Sequence, residues 1–140
     1  MAPASRITVS ALVKKPVAHV WKIWTAPAHI MQWCAASDDW HCPAAANDLR
    51  TGGTFSSTMA ARDGSSSFTF GGVYDDVQLH QRIAYTMGDG RTCEVLFTEE
   101  GGKTRVVESF DAEAQHSVEM QQAGWQAILD RFKKHAEAQP

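Results

Sequence analysis

The stretch SVEMQQAGWQAILDRFKKH (residues 117–135) decides the fold of this chain. Its apolar side chains recur at intervals of three and four residues, which is typical of one face of an α-helix. Ser117 suits the N-cap, so we expect a helix from there to about His135. A face this wide must pack against another layer of structure. It contains Val118, Met120, Trp125, Ile128, Leu129 and Phe132.

The partner layer is predicted between residues 48 and 110, where apolar and polar residues alternate. Turns rich in glycine separate the alternating runs, and strands joined in this way form an antiparallel meander. One further alternating run, residues 6–13, precedes the meander, so about seven strands are expected. The six runs of the meander are residues 48–51, 54–62, 66–77, 82–87, 92–99 and 103–110.

Two short helices are expected after the first strand. Pro16 begins one of them, and Pro27 ends it and begins the next, at residues 28–33. Residues 34–47 show no period and are interpreted as an ordered loop held by aromatic side chains. This order predicts an α+β helix-grip fold, in which a curved antiparallel sheet wraps around the C-terminal helix. We expect one domain over residues 1–140, with an ordered core at about 6–136.

The composition argues against several classes of protein. The 140 residues carry a net charge of −3 with scattered basic residues, so nothing favours nucleic-acid binding. No apolar run approaches the ~20 residues of a membrane span, and the first ten residues lack a signal-peptide pattern. Three cysteines without paired spacing predict reduced thiols in a cytoplasmic protein. Cys34, His41 and Cys42 lack a second pair of zinc ligands, so we expect no metal and no other cofactor.

Several motifs stand in the order found in a known family. They are VWKIWTAPAHIMQW (20–33), DLRTGG (48–53), FGGVYDDV (70–77) and QQAGWQAILDRFKKH (121–135). Together they resemble the START-like (SRPBCC) superfamily, in the branch similar to the activator of the heat-shock 90 chaperone ATPase. ASDDWHCP (36–43) resembles one bacterial subgroup of that branch.

The resemblance implies a helix-grip fold with a central hydrophobic cavity. It implies little about a reaction, because one fold can carry many functions. Some relatives form dimers, so a homodimer stays open. The eukaryotic activator carries an additional N-terminal chaperone-binding domain, and nothing in these 140 residues resembles it. A chaperone partner is therefore not expected.

Glu108 is the strongest candidate for a functional side chain. It shares one face of its strand with Val106 and Phe110, and that face should be the concave one. An unpaired carboxyl in a cavity would be desolvated, which would raise its pKa and suit it to act as a general acid or base. The alternatives are a register error and an ion pair with Arg50 or Arg91.

Two further groups of residues allow a functional and a structural interpretation. Trp33 and Trp40 either line a pocket or anchor the loop between them. His41 is the second catalytic candidate, because imidazole titrates near neutral pH, or it is simply solvated. Asp48 and Arg50 share a face, so they either hold an anionic ligand at the pocket mouth or fix the following turn.

Gly124 and Gln121 suggest that the contact between the last helix and the sheet is incomplete. A glycine inside a helix costs about 1 kcal/mol relative to alanine, so close packing or room for a ligand is expected there. Gln121 lies about one turn earlier and offers a polar group. The predicted ligand-binding residues are Trp33, Trp40, Met59, Phe68, Phe70, Tyr74, Tyr85, Phe97, Glu108, Met120, Gln121 and Gly124.

Three functions remain open from the sequence. It contains no nucleophile–base–orienter set, phosphate loop or dinucleotide fingerprint. The first hypothesis is therefore binding of a small hydrophobic or amphipathic molecule between the last helix and the sheet. The second is a cyclase- or hydrolase-like enzyme in the same cavity, with Glu108 or His41 transferring a proton. The third is a protein partner role similar to that of the chaperone activator.

Overall fold

The computed structural model describes residues 6–140. Residues 1–5 lie outside this part. They belong to the first ten residues, on which the expectation of no signal peptide rests. The predicted α+β helix-grip fold is confirmed. Its elements are β1 (Arg6–Val13), α1 (Val17–Thr25), α2 (Pro27–Trp33), β2 (Trp40–Asn47), β3 (Thr54–Ala61), β4 (Ser67–Gln78), β5 (Arg82–Met87), β6 (Thr92–Glu100), β7 (Lys103–Asp111) and α3 (Val118–Ala138).

The seven strands form one antiparallel sheet in the order β1-β7-β6-β5-β4-β3-β2. Strands β2 to β7 follow one another as a meander, as the glycine turns predict. The first strand then pairs with the last one, from Arg6 opposite Asp111 to Val13 opposite Thr104. This pairing places β1 and β2 at the two edges of the sheet.

The second strand lies earlier in the chain than the alternation predicts. The strand expected at residues 48–51 is wrong: the chain turns there, and the Gly53 N–H donates to the Arg50 carbonyl at 2.8 Å. The extended segment is β2, inside the stretch interpreted as a loop. Its period is hidden because the register shifts between His41 and Ala44, around Pro43. An edge strand tolerates proline, since one side of its backbone has no ladder partner.

The C-terminal helix begins as its cap residue predicts. The Ser117 hydroxyl accepts a hydrogen bond from the Met120 N–H at 3.1 Å, which satisfies one of the free donors of the first turn. In the part of the chain that the structure describes, no helix has both the length and the apolar character to cross a bilayer. The amphipathic α3 instead packs against the sheet and the two short helices.

Aromatic contacts anchor α3 at two points. Phe132 is fully buried, and its ring contacts Trp24 and Trp33 edge-on, at centroid distances of 4.8 and 5.0 Å. Two turns earlier, Trp125 stacks on Phe110 of β7 at 3.7 Å with the planes 15° apart. The C-terminal half of α3 is therefore held by α1 and α2, and its middle by the sheet. Between these contacts the helix stands off the concave face.

Candidate functional site

A cavity of about 460 Å³ lies between α3 and the concave face of the sheet. This volume falls within the ~300–1,000 Å³ typical of small-molecule sites. Every layer contributes to its wall, and nine of the 23 residues that line it are aromatic. The aromatic lining residues are Trp24, Trp33, Trp40, Phe55, Phe68, Phe70, Tyr74, Tyr85 and Trp125.

Gly124 is one reason why this space is open. It lines the cavity from α3, and a β-carbon placed there would meet no atom within 4 Å. Its neighbour Trp125 is turned onto Phe110 and meets Phe70 edge-on at 6.0 Å. The room that the sequence predicts at Gly124 is therefore present in the structure.

Glu108 occupies the floor of the cavity. It sits on β7 between Val9 of β1 and Val95 of β6, both of which are buried. The side chain is 6% exposed and lines the cavity. No hydrogen bond or ion pair to it occurs within residues 6–140, and burial alone raises its pKa from the ordinary 4.5 to about 8. At neutral pH the carboxyl is mostly protonated.

The two arginines considered as partners of Glu108 pair elsewhere. Arg50 bonds Asp48 at 3.0 Å in an exposed pair outside the cavity lining, which favours its interpretation as a support for the turn. Arg91 lines the cavity, but its Nε donates to Asp89 at 2.7 Å and its Nη1 to the Asp111 carbonyl at 3.3 Å. Of the acidic and basic residues in the lining that the structure describes, Glu108 alone has no such partner.

A short polar chain ties the cavity wall together. The Tyr74 hydroxyl donates to Asn47 Oδ1 at 2.5 Å, and Asn47 Nδ2 donates to the Thr25 carbonyl at 2.8 Å. This chain connects β4, the end of β2 and the end of α1. Burial raises the pKa of Tyr74 to about 12, so its phenol stays protonated and donates. Asn47 is not among the predicted site residues, because residues 34–47 show no strand period in the sequence.

Replacing Tyr74 with phenylalanine should lower the free energy of unfolding by about 1 kcal/mol, since Asn47 loses its buried donor. Urea unfolding followed by tryptophan fluorescence measures this change. The control is the same substitution in an Asn47→Ala background, where it should cost little because the hydrogen bond is already absent. An equal cost in both backgrounds would contradict the assignment.

The structure brings most of the predicted ligand-binding residues together around the cavity. They come from α2, from five strands and from α3, so distant parts of the sequence meet in one wall. The predicted residues that line it are Trp33, Trp40, Met59, Phe68, Phe70, Tyr74, Tyr85, Glu108 and Gly124.

Three predicted residues lie outside this lining. Phe97 faces the same side of the sheet but packs edge-on against Trp21 of α1 at 5.1 Å. Met120 is 60% exposed, because the first turn of α3 projects beyond the cavity. Gln121 is buried, but its amide is used by the segment before α3: it accepts from the Glu113 N–H at 2.8 Å and donates to the His116 carbonyl at 2.9 Å.

His41 and the nearby thiols give no metal centre. His41 lies on β2, half-buried and outside the lining. No group of three or more candidate metal ligands occurs in the described chain, residues 6–140. Interaction with Cys42 and burial raise the pKa of the Cys34 thiol, whereas interaction with Cys34 lowers the pKa of Cys42 to about 7 against the opposing effect of burial. Cys34 faces the cavity, and Cys42 is buried behind it.

A long helix that lies across a curled antiparallel sheet and leaves an aromatic cavity beneath it defines a START-like helix-grip protein. The chain belongs to the family described as Activator of Hsp90 ATPase homolog 1-like protein, whose family model matches residues 14–137. The resemblance of the motifs is thereby confirmed. No curated protein matches the chain.

Solved structures of similar proteins share the whole fold. An AHSA1-like protein from Aeromonas hydrophila is 44% identical, with a TM-score of 0.90 over 96% of this chain and 93% of that one. A protein from Cytophaga hutchinsonii is 56% identical, with a TM-score of 0.82 over 94% and 92%. A protein from Chromobacterium violaceum is only 18% identical, yet its TM-score is 0.86 over 96% and 99%, which shows the fold alone.

Proposed function

We propose that this protein binds a small hydrophobic or amphipathic molecule between α3 and the sheet. The observation that carries the proposal is the aromatic cavity of about 460 Å³ with a single unpartnered carboxyl at its floor. Largely apolar walls with a few polar groups are typical of small-molecule sites. The apolar wall would supply affinity, and the polar groups would orient the ligand.

The rim of the cavity offers an entrance. Phe68 lines the cavity and is also 52% exposed, so the cavity opens to solvent beside it. Trp40 lies next to it, with the two ring centroids 5.8 Å apart. Exposed aromatic side chains at a pocket mouth are covered when a ligand enters, which adds to the apolar area removed from water.

Replacing Gly124 with leucine should block the cavity without disturbing the fold, because the new side chain enters open space. N-phenyl-1-naphthylamine, a neutral dye that fluoresces in apolar surroundings, is a suitable probe. We expect the wild-type protein to bind it, and the variant to bind it at least tenfold more weakly. The matched control is Ala123→Leu, which adds the same side chain at the neighbouring exposed position outside the cavity lining.

Equal binding by Gly124→Leu and Ala123→Leu would place the dye outside the cavity, and no binding by the wild type would count against the proposal. Native mass spectrometry of the freshly purified protein provides a second test. A retained small molecule that is lost in Gly124→Leu and kept in Ala123→Leu would identify the natural ligand by its mass.

A proton-transfer enzyme in the same cavity is the second candidate. The observation that favours it is the Glu108 carboxyl, whose pKa of about 8 suits the exchange of a proton near neutral pH. If the retained molecule is turned over, Glu108→Gln should abolish turnover even at saturating concentrations of that molecule. Unchanged turnover in this variant would rule the role out.

A role as a chaperone partner rests on the description of the family alone. Stimulation of the ATPase of the cognate heat-shock 90 chaperone by the purified protein would support it. The expectation from the sequence is that no stimulation occurs. The cytoplasmic location and the homodimer also stay predictions.

A further inference from the structure

The charges in the cavity wall are arranged unfavourably for an anionic ligand. In residues 6–140, the acidic and basic residues that line the cavity are Arg91 and Glu108. Arg91 is already engaged by Asp89 and by the Asp111 carbonyl. A carboxylate or phosphate group in the cavity would therefore find no free cation, and it would approach a second acidic group.

The surroundings of Glu108 favour a cation. Trp125 and Tyr85 line the cavity together with this carboxyl. Phe55 and Phe70 also line the cavity, and both pack edge-on against Tyr85 at centroid distances of 4.7 and 6.1 Å. The faces of aromatic rings attract cations, most strongly where water is excluded.

We propose that the cavity selects molecules that carry a basic nitrogen on an apolar body, with the nitrogen bonded to the Glu108 carboxyl. The inference rests on the proposed function and names the class of ligand. An ammonium group would supply the partner that the described chain does not provide for this carboxyl. Hydrogen bonds between ionised groups are among the strongest in proteins. They offset the free-energy cost of removing both charges from water.

Binding of an ammonium group must be linked to a proton. The carboxyl of the empty cavity is mostly protonated at neutral pH, and it must lose its proton to pair with the cation. Well below pH 8, about one proton therefore leaves for solvent for each amine bound. Because only the ionised carboxylate pairs, the affinity for an amine should rise by about tenfold per pH unit well below pH 8 and level off above it.

Other titratable groups near Glu108 do not produce this dependence. Tyr85 of β5, Cys93 of β6 and Cys34 at the end of α2 face it, and their pKa values are raised, so all three stay neutral near pH 7. The lining residues of α3 are Gly124, Trp125, Ile128 and Leu129, which do not titrate. Cys42 behind Cys34 does titrate near pH 7, so a Cys42→Ala variant is a necessary control.

Three probes with the same aromatic body test the inference: 1-naphthylmethylamine, 1-naphthylmethanol and 1-naphthoate. At pH 7.5 we expect the wild-type protein to bind the amine at least tenfold more tightly than the alcohol, and the naphthoate most weakly. In Glu108→Gln the advantage of the amine should disappear, and the affinity for the alcohol should change less than threefold. Calorimetry at pH 6.5 in buffers of different ionisation enthalpy should show about one proton released per amine in the wild type and none in the variant.

Glu99→Gln, on an exposed position of β6, should behave as the wild type in every measurement, and Cys42→Ala should keep the pH dependence. Binding of naphthoate as tightly as the amine would overturn the inference, and so would an advantage of the amine that survives in Glu108→Gln. If the alcohol binds and the amine has no advantage, the selectivity fails while the proposed function stands. If none of the three probes binds, both fail.

Discussion

The free energy of unfolding of the wild-type protein is expected to fall by about 3 kcal/mol between pH 5 and pH 8 because of Glu108. Replacing Glu108 with glutamine should abolish this decrease. The carboxyl has a pKa of about 8 in the folded protein and an ordinary value of 4.5 when exposed. The folded state therefore holds this proton at pH values where the unfolded state releases it. The stability linked to the proton is fully present below pH 4.5, and it is lost as the pH rises to about 8.

Urea unfolding at four pH values between 5 and 8, followed by tryptophan fluorescence, measures this effect. The comparison uses the difference between wild type and Glu108→Gln, because all other titrating groups contribute equally to both proteins. Glu99→Gln removes an exposed carboxyl of the same sheet and should follow the wild type at every pH. If the free energy of unfolding changes with pH in the same way for wild type and Glu108→Gln, Glu108 is ionised in the folded protein and has a partner.

Replacing Gly72 with alanine is expected to lower the free energy of unfolding by about 3 kcal/mol or more, which is the upper end of the usual cost of overpacking. A β-carbon at Gly72 would lie 2.2 Å from the Thr86 carbonyl oxygen and 3.0 Å from its carbon. Both atoms belong to the backbone of β5, so no side-chain rotation can relieve the contact. Strands β4 and β5 would have to separate where Gly72 pairs with Met87.

The same exchange at Gly124 should have the opposite sign. No atom lies within 4 Å of a β-carbon at that position, and alanine favours the helix by about 1 kcal/mol. Gly124→Ala should therefore stabilise the protein by up to this amount. Urea unfolding of Gly72→Ala and Gly124→Ala at one pH tests both predictions. Destabilisation by Gly124→Ala would contradict the open space at this position.

Most elements of the fold could be predicted because their signals are local. The helical spacing of α3, the two prolines of the short helices and the glycine turns of the meander act within a few residues of each other. The exception is β2, whose bulge near Pro43 breaks the alternation. The edge strand β2 tolerates this bulge because it pairs with β3 alone. The sequence does not show that this strand lies at the edge of the sheet.

The cavity wall could be predicted in part for the same reason. Alternation within strands placed Tyr74, Tyr85 and Glu108 on the concave face, and the structure places all three in the lining. Alternation cannot tell which part of that face another element covers, so Phe97 was included although Trp21 packs on it. Trp24 and Phe55 also line the cavity, and the sequence does not predict this because a core residue and a cavity residue have the same pattern.

The sequence by itself determined the order of the elements, the apolar face of each and the acidic residue on the concave side. Only the tertiary structure decided that both candidate arginines pair elsewhere, that Gly124 opens onto empty space and that the carboxyl of Glu108 has no partner within residues 6–140. The physical reason is the range of the interactions. Periodicity reports neighbours along the chain, whereas the charge and the volume of a cavity depend on groups that meet only when α1, α2, the sheet and α3 have packed.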